Sequence, residues 1–117
     1  MSLVARHLEE AGIPTVVAGS ARDIVEECGV PRFLFSDFPL GNPMGRPHDV
    51  EMQRAIAGHA LDLFETASLP RTTVQVPITW SDDTSWKASF ARVDASEIET
   101  MRRMGEQRRQ RQKHVGN

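Results

Sequence analysis

Two stretches of this 117-residue chain hold residue types able to bind and orient a small polar molecule. The first, Gly19-Ser20-Ala21-Arg22-Asp23, sets a hydroxyl and a guanidinium beside the backbone N–H groups of an expected helix start. That combination suits a carboxylate or another anion. A plain helix cap, with Arg22 in solvent, would use the same residues. The second stretch runs from Asp37 to Asp49 and places Asp37, Gly41, Asn42, Arg46 and His48 around one loop. Pro39, Pro43 and Pro47 remove backbone donors there, and Gly41 and Gly45 admit positive φ, so the loop is shaped rather than loose. A rigid corner that seats the next helix is the alternative. The expected substrate-binding residues are therefore Ser20, Arg22, Asp37, Gly41, Asn42, Arg46 and His48, with no catalytic residue assigned.

Other chemistry is set aside on spacing. The 4 histidines, His7, His48, His59 and His114, have no metal-ligand spacing to one another, to cysteine or to a carboxylate pair. His48-x-x-Glu51 is the nearest approach and reads as a surface pair at a helix start. Cys28 is the single cysteine, which excludes an internal disulfide and a Cys-x-x-Cys redox pair; it sits on an apolar stripe as an inert core thiol. Phosphate-cradling glycine loops and the Gly-x-Ser-x-Gly elbow are absent, so no metal and no cofactor is expected.

The elements that must position these loops emerge from periodicity. Ser2 to Ala11 reads as a helix with Leu3, Val4, Leu8 and Ala11 on one face, closed by Gly12 and Pro14. Thr15 to Ala18 is a short strand. A second helix begins with Ser20 as cap, Asp23 completing a capping box, and carries a stripe of Ala21, Ile24, Val25 and Cys28 up to Gly29. Phe33 to Phe38 reads as a strand buried on both faces. A third helix from about Asp49 to Thr66 buries Met52, Ile56, Ala60, Leu63, Phe64 and Ala67. Gly58 at its centre implies close packing on a neighbouring backbone. Thr72 to Trp80 alternates as a third strand, pushed to an edge by Pro77. Asp94 with Glu97 opens a last helix, whose apolar residues end at Met104.

This alternation predicts an α/β fold: a small Rossmann-like parallel sheet with flanking helices and a long C-terminal helix. It opens on a helix where a doubly wound unit opens on a strand, so a first strand is expected to be missing. Three segments are expected: residues 1–70 as an α/β core, 71–93 as an edge strand and aromatic arm, and 94–117 as a basic helix. Trp80, Trp86 and Phe90 on the arm are expected at a subunit interface. The formal net charge of −2 hides an asymmetry, since Arg102, Arg103, Arg108, Arg109, Arg111 and Lys113 crowd the C-terminal end. No apolar run approaches the roughly 18 residues of a membrane span, and the N-terminus lacks a signal-peptide pattern, so a cytoplasmic location is expected.

The pattern Ala5-Arg6-x-x-Glu9-x-Ala11-Gly12-Ile13-Pro14-Thr15-Val16, followed by Pro39-Leu40-Gly41-Asn42-Pro43, resembles a known family. It is similar to the C-terminal part of component B, selenoprotein B, of the glycine, sarcosine, betaine and D-proline reductases. The likeness covers Leu3 to Ala67. It implies an oxidoreductase neighbourhood in which a selenocysteine or cysteine attacks the C–N bond of an amino-acid derivative. In that family the nucleophile lies in a loop directly before the helix that begins here near Ser2. The sequence starts just after that place, and Cys28, a helix and a strand later, does not carry over to the role.

These readings combine in a reductase subunit or C-terminal fragment that contributes part of a substrate pocket and is inactive alone. It is expected to meet a protein partner or to form a homo-oligomer, and to hold a small carboxylate-bearing substrate. The alternative is a non-catalytic binding or assembly subunit of a larger complex. Nucleic-acid or acidic-partner binding through the basic tail is the third and weakest reading; no membrane association is expected.

Overall fold

The computed structural model describes residues 1–89 and 95–115. They fall in two compact units, Met1–Asp83 and Thr84–Asn117. The first contains α1 (Ser2–Glu10), β1 (Val17–Gly19), α2 (Arg22–Cys28), β2 (Arg32–Phe35), α3 (Val50–Thr66) and β3 (Thr72–Gln75). The three strands form one sheet in the order β1-β2-β3. Both ladders are parallel, with Val17 opposite Phe33 and Phe33 opposite Thr73. The α/β class and the parallel sheet with flanking helices are as the alternation of elements predicts.

Strand β2 is covered on both faces because its side chains alternate. Phe33, 1% exposed, packs with Ala5 of α1 and with Val25 and Val30. Leu34, 0% exposed, points to the other face, where Met52, Ile56 and Leu63 of α3 meet Phe38 and Val76. The helices α1 and α2 thus lie on one side of β2 and α3 on the other. The element boundaries have local causes. Asp49 caps α3, its carboxylate accepting from the Met52 N–H at 3.0 Å. Gly29 ends α2 at φ 73°, where a Cβ would stand 2.6 Å from the Arg71 guanidinium. The positive φ favours glycine there, and the Arg71 guanidinium would have to shift to admit a Cβ.

Several expectations are corrected. Ser20 does not cap α2: the helix starts at Arg22 behind Ala21, with no side-chain cap bond. The expected face of α1 is largely outward, with Leu3 and Val4 exposed and Ala5 the residue buried. Ile24 and Phe64 are exposed as well. Phe64 instead lies under the Arg32 guanidinium, 5.7 Å from the ring centre. Gly58 has open space where its Cβ would be, so close packing does not explain it. Trp80 folds back onto Phe38, rings 5.6 Å apart and tilted by 51°, and packs against the core rather than standing on a free arm.

The second unit contains α4 (Ser85–Ser89) and α5 (Ala95–Val115). Helix α4 has no clear signature in the sequence; on it Lys87 lies over the Trp86 ring at 5.7 Å. Along α5, Ile98, Met101 and Met104 are exposed, as are Arg102, Arg103, Arg108, Arg109 and Arg111. Phe90, Val93 and the expected Asp94 cap lie outside the described residues. No helix among the described residues is long and apolar enough to cross a membrane.

The two-sided burial of β2 has a direct test. Ile56→Ala, at a fully buried position against Leu34, should cost about 2–5 kcal/mol, whereas Leu61→Ala on the exposed side of α3 should stay within about 0.5 kcal/mol. Urea unfolding of both variants measures the difference.

Candidate functional site

In a parallel sheet every strand delivers its following loop to the same end, the C-terminal edge. The two candidate loops therefore start side by side. The Ser36 N–H donates to the Gly19 carbonyl at 2.9 Å, tying the end of β2 to the end of β1. From there they diverge, since β1 leads to α2 on the Phe33 side and β2 leads to α3 on the Leu34 side. Divergence of neighbouring loops to opposite faces is what opens a crevice at strand ends in open α/β sheets.

On the β1 side, the Ser20 hydroxyl is buried with no hydrogen-bond partner among the described residues. Arg22 lies over the Phe35 ring at 5.7 Å, and its Nε donates to Glu26 at 3.0 Å. That ion pair is half exposed, and exposed pairs of this kind contribute only about 0–1 kcal/mol. Arg22 is held loosely, at a position from which it reaches the β2 end. Cys28 lies at the far end of α2, roughly 9 Å along its axis, away from these loops.

On the β2 side the loop is built around Ser36, which is fully buried. Its hydroxyl donates to the Pro43 carbonyl at 2.7 Å, drawing the Pro-Gly segment back over the strand end. Asp37 and Asn42 are half-buried, and Gly41, Arg46 and His48 are exposed. The turn closes through Asn42 N–H to Pro39 O at 3.1 Å and Gly45 N–H to Asn42 O at 3.2 Å. Gly45, at φ 107°, lies against Met52 and Ile56, whose side chains would stand 3.1 and 3.2 Å from a Cβ.

Arg46 faces inward to its own loop. Its guanidinium donates to Asp49 Oδ2 at 2.8 and 3.2 Å and to the Trp80 carbonyl at 2.8 Å. The Arg46 carbonyl accepts from Gln53 at 2.8 Å. The hydrogen bond from Arg46, then that from the Met52 N–H, holds the Asp49 carboxyl below its ordinary value of 3.8. His48, just before this cap, has φ 63° and is solvent-facing. Thus Ser20, Arg22 and Asp37 start the two loops beside each other, Gly41 and Asn42 form the turn, and Arg46 is engaged with Asp49 and Trp80. Ser36 and Trp80, which hold the loop, escape sequence reasoning. A hydroxyl directly after an apolar strand and before a Pro-rich loop is the only signal for Ser36. Among the described residues no group of three or more His, Cys, Asp or Glu side chains converges as a metal site would require.

The arrangement defines a parallel α/β unit with polar loops gathered at one sheet end. Over 76 residues, 65% of the chain, the sequence is 33% identical to the D-proline reductase subunit gamma of Acetoanaerobium sticklandii, and the match spans 31% of that protein. The chain is a distant, partial relative of a reductase subunit. No family model and no solved structure matches it.

The Arg46–Asp49 clamp makes loop closure pH-dependent. Because the Asp49 carboxyl is held below 3.8, its contribution to stability is present above that pH and is lost as pH falls through the folded value. Asp49→Ala should lower the urea midpoint at neutral pH, and the gap to the unmodified chain should narrow progressively below pH 3.8. Paired unfolding curves across that range check the sign.

Proposed function

We propose that this chain is a subunit, or part of one, of a reductase acting on amino-acid-derived C–N bonds, and that it supplies substrate-holding loops. The observation that carries the proposal is its 33% identity to a D-proline reductase subunit. Within that reading the nearer counterpart is the component B type of subunit, on the strength of the Pro39-Leu40-Gly41-Asn42-Pro43 motif. The matched part is 31% of the relative, so the activity is assigned to an assembly in which other polypeptide supplies the redox nucleophile.

The chemistry divides accordingly. Reductive cleavage of a C–N bond needs a nucleophile with an electron source and a means of holding the substrate carboxylate. Arg22 is the residue to hold the carboxylate, because its present partner Glu26 is exchangeable and it lies over the Phe35 ring at the β2 end. Ser20, whose buried hydroxyl has no partner among the described residues, offers a neutral donor on the same loop. Asp37 and Asn42 are suited to the substrate's amino group. Gly41 shapes the turn that brings Asn42 round. Arg46 acts as the clamp of the loop, and His48 borders it. Cys28 lies at the wrong end of α2 to serve as the nucleophile.

A titration of the chain with D-proline, followed by backbone amide shifts, tests the proposal. Shifts should cluster at Ser20, Arg22 and Asp37, and Arg22→Ala should weaken binding by about 1.5–3 kcal/mol, the range for a charged hydrogen bond. Arg54→Ala, on the exposed face of α3, is the control. Shifts absent from both loops, or equal affinity in the Arg22 variant, would sink the assignment. A non-catalytic assembly subunit would then be the better account.

A further inference from the structure

We propose that α5 pairs antiparallel with α5 of a second copy of this chain, through one seam of Glu97, Met101, Met104, Arg108 and Arg111. These residues recur at intervals of four, three, four and three, the spacing that keeps side chains on one face of a helix. All five are exposed, Met101 by 55% and Met104 by 63%. Ile98, exposed as well, borders the seam. Apolar groups on a helix otherwise rich in charge are thus gathered on one flank.

Charge decides what can cover this seam. Its acid lies toward the N-terminal end and its arginines toward the C-terminal end. Among the described residues Glu97, Arg108 and Arg111 have no ion-pair partner, whereas Arg102, off the seam, pairs with Glu106 at 3.9 Å. A parallel copy would set Arg108 against Arg108 and Arg111 against Arg111, and like charges face to face repel. An antiparallel copy turned about Met104 sets Glu97 opposite the partner's Arg111, twice by two-fold symmetry. Met101 then lies beside the partner's Arg108, whose aliphatic stem can cover it, and the two Met104 side chains meet at the centre. Gly105 stands next to that centre, with open space where its Cβ would be. A glycine weakens a helix interior; here it lets the second helix pass close. Outside the seam the same turn sets Glu99 level with the partner's Arg109, and Arg102 level with the partner's Glu106. Every acid of α5 therefore shares its level with an arginine. A phosphate backbone would match the arginines but would repel Glu97 and leave Met101 and Met104 uncovered. The seam is short of apolar area, so the pairing is expected to be weak, in the micromolar range or above. It is independent of the reductase assignment.

Sedimentation of the full chain over a concentration series tests the pairing. The unmodified chain should show a reversible monomer–dimer equilibrium. Glu97→Arg, and separately Arg108→Glu with Arg111→Glu, should each weaken dimerisation about tenfold or more by setting like charges face to face. An equimolar mixture of the two variants should regain the dimer, because each carries the charges the other lacks. Arg103→Glu, on the opposite side of α5, should leave the equilibrium unchanged. Circular dichroism of every variant confirms that the helix is retained. Orientation is read in a Cys28→Ser background: Glu97→Cys mixed with Arg111→Cys should oxidise to the mixed disulfide, while Glu97→Cys alone should not cross-link. A chain that stays monomeric at every concentration, including one that binds a single-stranded RNA probe instead, would overturn the proposal. So would variants that fail to complement each other, or cross-linking of Glu97→Cys to itself.

Discussion

Burial of β2 on both faces is the constraint on which the rest of the first unit depends. A strand of four residues, Arg32–Phe35, has too little length to be held by its ladders alone. Phe33 and Leu34 must each find a separate apolar layer, and each does. That requirement sends α2 and α3 to opposite sides of the sheet. Because they part there, the loops feeding them start side by side at the strand ends and then separate. The location of the candidate site is in this sense a by-product of packing.

The loop after β2 shows how a polar segment is held firm without a core of its own. Ser36 is buried where the ladder ends, its N–H still paired with the Gly19 carbonyl, and its hydroxyl ties the following loop down by reaching the Pro43 carbonyl. Arg46 closes the far side by joining Asp49 and the Trp80 carbonyl. Trp80 in turn rests on Phe38. The loop is therefore fastened to the strand at one end and to the chain beyond β3 at the other.

What is legible in the sequence is chiefly what local chemistry decides. Gly29 and Asp49 mark helix ends because a left-handed backbone and a side-chain cap are requirements of the adjoining residues alone. The α/β class is legible for the same reason, as is the common sheet end of the two loops once the strands are parallel. Periodicity finds a helical stripe but does not say which part of it is covered, so Ile24 and Phe64 lie on stripes that predict burial and are exposed. Ser20 looks like a cap by type, yet the strand end holds it back and Ala21 takes the position. Contacts between distant segments leave no local trace. The seat of Trp80 on Phe38 and the reach of Arg46 to Trp80 depend on the path of the chain after β3, which no spacing encodes.

The Glu9–Thr15–Arg32 cluster has a consequence for how this molecule can change over time. It pins α1, the approach to β1 and the start of β2 together at the N-terminal edge of the sheet, with Arg32 also seated over Phe64. The loops with the binding-type residues are at the other edge. Substitutions that retune one end need not disturb the other, as functional loops carried on a rigid scaffold allow. Such a unit can drift in ligand preference while its framework stays fixed, so descendants with very different loops would still share the acid, hydroxyl and guanidinium of the opposite edge.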